Sequence, residues 1–269
     1  MITTKQVIEN WVKNVLEKGV ANLKKEFEEN KRYFPKDMTL DAFKKGQEEK
    51  KNRINRSLIL YSNLFSMILQ EQCTSIIMLC GLVEKGQQKC AAYWPVTKGE
   101  TKTYDNFEVT AVEVSPLDET YTNVVKTQLL VKSKVSAKEM KVNHFYWTDW
   151  PDRGVPANND CATTLLDFVR GSTKPIVVHC SAGIGRTGSI VAIEYIFQKF
   201  VKAELVESSI EILKSIRNQR PYSIQTYQQY LFIHRNVLQF IANNSNIITK
   251  NYAALMTKFE KEYEEACVV

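Results

Sequence analysis

The segment from Pro175 to Gly188 restricts the possible folds of this chain more than any other. Its first part, Ile176-Val177-Val178, is a short apolar run typical of a strand buried on both faces. Glycines then mark a short loop, and a helical pattern begins near Thr187. A loop between a strand and a helix N-terminus turns successive backbone N–H groups inward, which makes an anion cradle. The segment therefore predicts a mixed α and β protein with an anion site after one of its strands.

Apolar periodicity predicts further strands and helices. Alternation indicates that Phe107 to Val114 and Thr127 to Val135 form paired strands, and Ser75 to Leu82 reads as a buried strand. Residues 57–69 are too irregular to assign. Helical spacing predicts one or two helices in residues 5–27, broken around Gly19, and others at residues 188–201, 205–217, 226–241 and 252–263. These elements indicate the α/β (α+β) class, with a twisted mixed central sheet flanked by helices in one domain.

Composition and cysteine content exclude several classes of protein. Of 269 residues, 44% are hydrophobic and 25% charged, which excludes a disordered, collagen-like or coiled-coil chain. No apolar run is long enough to span a bilayer and no secretory signal is visible, so we expect a soluble, cytoplasmic protein. Six cysteines without a C-x-x-C pair predict no disulfide scaffold and no metal site. Residues 1–60 are basic but lack interleaved aromatic residues, so no nucleic-acid partner is expected.

Two interpretations compete for the glycine loop. Gly183, Gly185 and Gly188 match the G-x-G-x-x-G dinucleotide fingerprint, but no βαβ repeat surrounds them and that motif gives no role to a cysteine or an arginine. The second interpretation uses both. Cys180 stands at the mouth of the cradle, where N–H dipoles favour a thiolate, and Arg186 can hold two phosphoryl oxygens with its planar fork. The spacing thus favours a phosphoryl-transfer site.

The run from His179 to Gly188 resembles the signature loop of the classical, tyrosine-specific protein tyrosine phosphatases, of the non-receptor type. Trp150-Pro151-Asp152 resembles the mobile general-acid loop of that family. Three further stretches occur in the family order, and they resemble the start of the phosphotyrosine loop, the loop that supports the arginine, and the glutamine loop: Lys51-Asn52-Arg53, residues 84–95 and residues 225–230. The resemblance implies the protein tyrosine phosphatase fold and hydrolysis of phosphotyrosine through a phosphocysteine intermediate.

The resemblance also implies a role for each site residue. Cys180 is the nucleophile, Asp152 the general acid and then base, and Arg186 the phosphate clamp. Backbone amides of the loop bind the phosphate, a role that falls to Ser181, Ala182, Gly183, Ile184 and Gly185. Gln229 and Gln225 position water, Thr187 stabilises the leaving sulfur, and His179 favours the thiolate, while Glu84, Lys89 and Trp150 support these residues. Cys73, Cys80, Cys90 and Cys161 are interpreted as core, and His144 and His234 as structural.

The sequence departs from the family pattern after Lys-Asn-Arg. Family members continue with an aromatic residue that walls the phosphotyrosine slot, whereas this chain has Ile54 and reaches Phe65-Ser66-Met67 soon afterwards. The recognition segment is therefore shortened between about residues 54 and 64, and we expect the loss of some strands. The complete catalytic set favours an enzyme. The shortened segment leaves open a catalytically impaired relative that binds phosphate or phosphotyrosine.

Helical spacing and the resemblance together predict three parts of the chain, and the resemblance implies the protein's partners. Residues 1–18 form an amphipathic helix, 19–241 the catalytic domain and 242–269 a helical tail. Phosphotyrosine-containing proteins are the expected partners of a monomer that needs no cofactor and no metal.

Overall fold

The computed structural model describes residues 3–36, 38–39, 41–48, 58–157, 160–206 and 208–267. The helices in these ranges are α1 (Thr4–Asn30), α2 (Asp41–Glu48), α3 (Leu58–Glu71), α4 (Cys161–Val169), α5 (Gly185–Val201), α6 (Ser209–Gln219), α7 (Tyr227–Asn244), α8 (Ile247–Asn251) and α9 (Ala253–Cys267). The strands are β1 (Ser75–Met78), β2 (Val83–Glu84), β3 (Gln87–Gln88), β4 (Thr101–Tyr104), β5 (Phe107–Pro116), β6 (Val124–Ser133), β7 (Glu139–Trp147) and β8 (Ile176–His179). Among the described helices, none combines the length and the apolar character that crossing a bilayer requires.

Six strands form one mixed sheet in the order β4-β5-β6-β7-β1-β8. Neighbours from β4 to β7 are antiparallel, whereas β1 pairs in parallel with both β7 and β8. All four residues of β1 are buried, as expected for an apolar run covered on both faces. The α/β class with a mixed sheet is confirmed.

The paired strands predicted from alternation are confirmed as β5 and β6. Val109 lies opposite Val131 and Ala111 opposite Leu129, and all four side chains are buried. The second strand ends at Ser133, two residues earlier than predicted, and Val135 is exposed. β4, β7 and α4 were not predicted from the sequence. In β7 the polar Asn143 and His144 interrupt the apolar alternation, although His144 is buried.

Most predicted helices are present, with shifted ends. α1 contains the predicted break, because Gly19 has φ 70° and ψ 170° within it. α5 begins at Gly185 rather than near Thr187, so Arg186 belongs to its first turn. α6 begins four residues later than predicted, where the Ser208 hydroxyl accepts the N–H of Glu211 as an N-cap.

The chain divides into two compact units. The sheet unit comprises Asp37–Asp149 and Phe168–Ser181 and contains every strand of the described residues. The helical unit comprises Met1–Lys36, Trp150–Asp167 and Ala182–Val269. The domain boundaries predicted near residues 18 and 241 stay a prediction. Lys51 to Arg56, on which the shortened recognition segment depends, lie outside the described residues, so the loss of strands also stays a prediction.

Candidate active site

Cys180 directly follows the last residue of β8 and is 8% exposed. Parallel pairing sets His179 opposite Met78 at the end of β1. Because the carboxyl ends of parallel strands meet at one edge of a sheet, the segment after β1 lies beside the segment after β8. These two segments are joined by a hydrogen bond from the Ser181 hydroxyl to the carbonyl oxygen of Lys89, at 3.3 Å. The sheet unit therefore brings three predicted site residues together, namely Cys180, Ser181 and Lys89.

A series of hydrogen bonds, in part buried, leads to the cysteine backbone. The Tyr93 hydroxyl lies 2.7 Å from Nε2 of His179 and 2.7 Å from Nε2 of His144. Nδ1 of His179 lies 3.3 Å from the carbonyl oxygen of Cys180, which can only accept, so this nitrogen carries the proton. Tyr93 therefore donates to Nε2 of His179 and accepts from Nε2–H of His144. This series fixes the tautomer of the residue that precedes the proposed nucleophile.

Burial keeps the three side chains of this hydrogen-bond series uncharged. It lowers the pKa of His179 below its ordinary value, and it lowers the pKa of His144 further, with a smaller contribution from neighbouring His179. Burial also raises the pKa of Tyr93, so its hydroxyl keeps the proton. His144 was predicted to be structural without a named partner, and its partner in the structure is Tyr93. Sequence spacing did not identify Tyr93 either.

In the helical unit, Arg186 contacts the segment that resembles the general-acid loop. Its Nη1 donates to the carbonyl oxygen of Trp150 at 2.8 Å, and its Nη2 lies 3.6 Å from a carboxylate oxygen of Asp152. Arg186 is 2% exposed, whereas the Asp152 side chain is 34% exposed. The segment that resembles the general-acid loop is also held by the glutamine-loop segment, because the Thr226 hydroxyl donates to the carbonyl oxygen of Arg153 at 3.2 Å. The proposed clamp and the proposed acid therefore lie next to each other.

The orientation of the loop amides follows from the partners of its carbonyl groups. Arg220 donates to the carbonyl oxygens of Gly183, at 2.5 Å, and of Ala182, at 3.2 Å. The Ile224 N–H donates to the carbonyl oxygen of Ile184 at 3.0 Å. In a trans peptide the C=O and the following N–H point in opposite directions, and the described chain has no cis peptide. The N–H groups of residues 183–185 therefore point away from Arg220 and Ile224, as an anion cradle requires.

A buried arginine fixes the turn that carries these donors. Arg217 is almost fully buried and donates to the carbonyl oxygens of Ser223, at 2.9 Å, and Ile224, at 3.0 Å. Its Nη1 also donates to the carbonyl oxygen of Asn30, at 2.8 Å, at the end of α1. Sequence reasoning missed Arg217 and Arg220. No local spacing marks them, because Arg217 joins its own turn to Asn30 and Arg220 reaches Gly183, both far away along the chain.

Both predicted glutamines lie against the first residue of α5. A Cβ atom added to Gly185 would be 2.5 Å from Oε1 of Gln225 and 3.0 Å from Nε2 of Gln229, so any larger residue there would displace the glutamine side chains. Gln229 is fully buried, and its Oε1 accepts the N–H of Gln225 at 2.9 Å. Nε2 of Gln229 and the hydroxyl of Thr187 have no hydrogen-bond partner among the described residues. Buried donors of this kind are available to a bound anion or water.

Two predicted supporting contacts stay predictions. Glu84, expected to hold Arg186, accepts the N–H of Gly81 at 2.9 Å within the sheet unit. The expected pairing of Lys89 with Asp152 is likewise untested.

Comparison with known proteins assigns the family. A family model described as protein-tyrosine phosphatase matches residues 60–239. Tyrosine-protein phosphatase 1 of Caenorhabditis elegans is 35% identical over 187 residues, which cover 66% of this chain and 17% of that protein. Receptor-type tyrosine-protein phosphatase zeta of Homo sapiens is 33% identical over 228 residues, which cover 75% of this chain and 10% of that protein. The chain thus spans less than a fifth of the length of these relatives.

Solved structures agree with this assignment. The structure of PTPN18 in complex with HER2-pY1248 phosphopeptides superposes with a TM-score of 0.61 and 26% identity, over 67% of this chain and 68% of that one. A second PTPN18 structure gives a TM-score of 0.62 at the same identity, over 68% of this chain and 64% of that one. With a family model that matches two thirds of its length, the chain belongs to the protein-tyrosine phosphatase family.

Proposed function

We propose that this protein hydrolyses phosphotyrosine in proteins through a phosphocysteine intermediate. The observation that carries the proposal is the contact of Arg186 with both Trp150 and Asp152, because a site that only binds phosphate has no use for an acid beside its arginine. The inward amides of residues 183–185 supply the matching donors for the phosphate oxygens. Family membership supports the same assignment.

In the first step the Cys180 thiolate attacks phosphorus in line and the bond to the tyrosine oxygen breaks. Arg186 and the loop amides stabilise the equatorial oxygens as charge develops on them. A tyrosine leaving group has a pKa of about 10, so it departs slowly near neutral pH unless it receives a proton. Asp152 donates that proton, which releases neutral tyrosine and leaves S-phosphocysteine.

In the second step water attacks the phosphocysteine. Asp152, now a carboxylate, takes a proton from the water, and the amides of Gln229 and Gln225 orient it. The P–S bond breaks, inorganic phosphate leaves and the thiolate is restored, with Thr187 donating to the departing sulfur. No step uses a metal ion, so turnover should persist in EDTA.

We further propose that the protein acts as a monomer in the cytoplasm on phosphotyrosine-containing proteins. Support for a reducing compartment comes from the cysteines, all six of which lie in the described part of the chain and form no disulfide. Support for the substrate class comes from PTPN18, whose structures hold HER2 phosphopeptides. Sedimentation velocity tests the monomer, and cell fractionation tests the compartment.

The experiment compares the full chain with three variants on a phosphotyrosine peptide and on p-nitrophenyl phosphate. Cys180→Ser should abolish turnover of both substrates, whereas Cys267→Ser, a cysteine at the end of α9, should retain it. Asp152→Ala should slow the peptide reaction by about 10²–10⁴-fold and the nitrophenyl reaction less, because nitrophenolate leaves without a proton. Phosphate binding without any turnover by the unmodified chain would instead support the impaired relative. Equal losses on both substrates in Asp152→Ala would remove Asp152 from the acid role.

A further inference from the structure

A cavity of about 600 Å³ lies beside the proposed nucleophile, and every residue described as lining it belongs to the sheet unit. Its wall includes side chains of α3 as well as the residues that follow β8, among them Tyr61, Leu64, Met67, Tyr93, Cys180 and Ser181. This volume lies in the range of pockets that hold drug-sized molecules and exceeds what one phenyl ring needs.

The cavity has two chemically different parts. Cys180, Ser181 and Lys89 form one part, and the hydrogen bond from Ser181 to the Lys89 carbonyl holds them together. Tyr61, Leu64 and Met67 form the other part, and their spacing of three residues puts them on one face of α3. A ligand that spans the cavity therefore meets the polar residues Cys180, Ser181 and Lys89 at one part, and Tyr61, Leu64 and Met67 at the other.

An adjoining face of α3 fixes the helix on the sheet. Phe65 and Ile68 are fully buried, and the Phe65 ring lies 5.4 Å from the ring of Tyr104 in β4. The ring of Tyr61 also packs edge-on against Tyr104 at 5.4 Å, so its position is set by the same strand. Met67, in contrast, is 41% exposed. The apolar wall is thus a fixed surface that a ligand can cover.

We propose that this cavity receives the aromatic group of the substrate, with Tyr61, Leu64 and Met67 forming the wall that holds it. The inference rests on the proposed function, because the cavity is shared with Cys180. It assigns ring recognition to α3, although the sequence places no aromatic residue directly after Arg53. Since the cavity exceeds one phenyl ring in volume, the site favours bulky aryl phosphates over phenyl phosphate.

The experiment measures dissociation constants by titration calorimetry for inorganic phosphate, phenyl phosphate and 2-naphthyl phosphate. It uses the full chain with Cys180→Ser, which binds without turnover. In this background the naphthyl compound should bind at least about threefold more tightly than the phenyl compound, because its second ring buries more apolar surface. Inorganic phosphate serves as the probe that does not reach the α3 wall.

Two variants and one matched control test the wall. Tyr61→Ala should weaken both aryl phosphates by about 2- to 12-fold, as expected for the loss of an aromatic contact. Leu64→Trp fills the cavity and should remove the naphthyl preference. Both variants should leave the constant for inorganic phosphate within about twofold, a change too small to reflect a lost contact. Ser66→Ala, at an exposed position of α3 that does not line the cavity, should change none of the three constants.

The outcomes separate this inference from the proposed function. Unchanged aryl constants in Tyr61→Ala and Leu64→Trp, or no naphthyl preference in the parent chain, would overturn the inference. Equal weakening of all three probes would also overturn it, because the wall would then act on the fold rather than on the ring. If the unmodified chain releases no phosphate from any substrate while the aryl preference persists, the proposed hydrolysis fails and the ring site stands.

Discussion

Replacing Tyr93 by phenylalanine tests whether the chain of hydrogen bonds behind Cys180 stabilises the fold. The substitution removes one oxygen atom, which lies 2.7 Å from Nε2 of His144 and 2.7 Å from Nε2 of His179. Nε2 of the fully buried His144 is then left without a partner, as its Nδ1 already is among the described residues, and Nε2 of the half-buried His179 loses its partner too. A buried polar group left unsatisfied costs about 1–3 kcal/mol. We therefore expect the free energy of unfolding to fall by about 2–4 kcal/mol.

Tyr104→Phe is the matched control in the same sheet unit. Tyr104 is 5% exposed, and its hydroxyl has no hydrogen-bond partner among the described residues. Removing that hydroxyl should change the free energy of unfolding by less than about 0.5 kcal/mol or increase it, because nothing is left unsatisfied. Urea denaturation of both variants measures the difference. A loss in Tyr93→Phe no larger than that in Tyr104→Phe would refute the assigned hydrogen bonds.

The same substitution should affect catalysis. Without the Tyr93 hydroxyl, the His179 ring loses the partner that fixes its tautomer, and its contact with the Cys180 carbonyl loosens. We expect a lower kcat/KM for phosphotyrosine peptide in Tyr93→Phe and an unchanged value in Tyr104→Phe. An unchanged kcat/KM in a destabilised Tyr93→Phe variant would show that these hydrogen bonds act on stability only.

Three further changes have expected outcomes. Burial lowers the pKa of His234 to about 4 in the folded protein. The neutral imidazole therefore contributes its full stability above the pKa of the unfolded chain, and this stability is lost as the pH falls through the pKa of the folded protein. Between pH 7 and 4 the free energy of unfolding, measured by urea titration, should therefore fall by about 3 kcal/mol less in His234→Gln than in the unmodified protein. Arg217→Lys keeps the charge but loses the planar fork, and should lower the free energy of unfolding by about 2–4 kcal/mol in the same assay. Gln229→Ala should slow water attack by about 10²-fold, seen in rapid-quench kinetics as a product burst and trapped phosphocysteine.

Short-range patterns made the segment of the proposed nucleophile predictable. The strand β8, the glycine loop and α5 follow one another without interruption, and Cys180 and Arg186 both lie within this stretch. The kink at Gly19 was predictable for the same reason, since a glycine within an apolar helical pattern is a local signal. α3 could not be predicted in this way. One face of it packs on β4 while another lines a cavity, so its apolar residues do not form a single stripe.

The residues that support the glycine loop could not be predicted in this way, because their contacts are long-range. Arg217 reaches Asn30 across 187 positions, and Tyr93 reaches His179 across 86. Neither pair leaves a period or a spacing in the sequence, because contacts of this range arise only when the fold brings distant segments together. A buried arginine that donates to backbone carbonyls also leaves no charged partner to search for.

Phosphate binding and ring recognition are assigned to different sets of residues, so the chain can depart from its family pattern in ring recognition alone. By our proposal, the phosphate is bound by Arg186 and by backbone amides of the loop, whose carbonyl groups are held by Arg220 and Ile224 of the helical unit. The ring of the substrate is met, by our inference, through side chains of α3 that make none of those contacts. A change at the ring wall therefore alters which phosphate esters bind, while the chemistry at phosphorus depends on residues it does not touch. A shortened recognition segment is accordingly expected to change substrate range before it abolishes turnover.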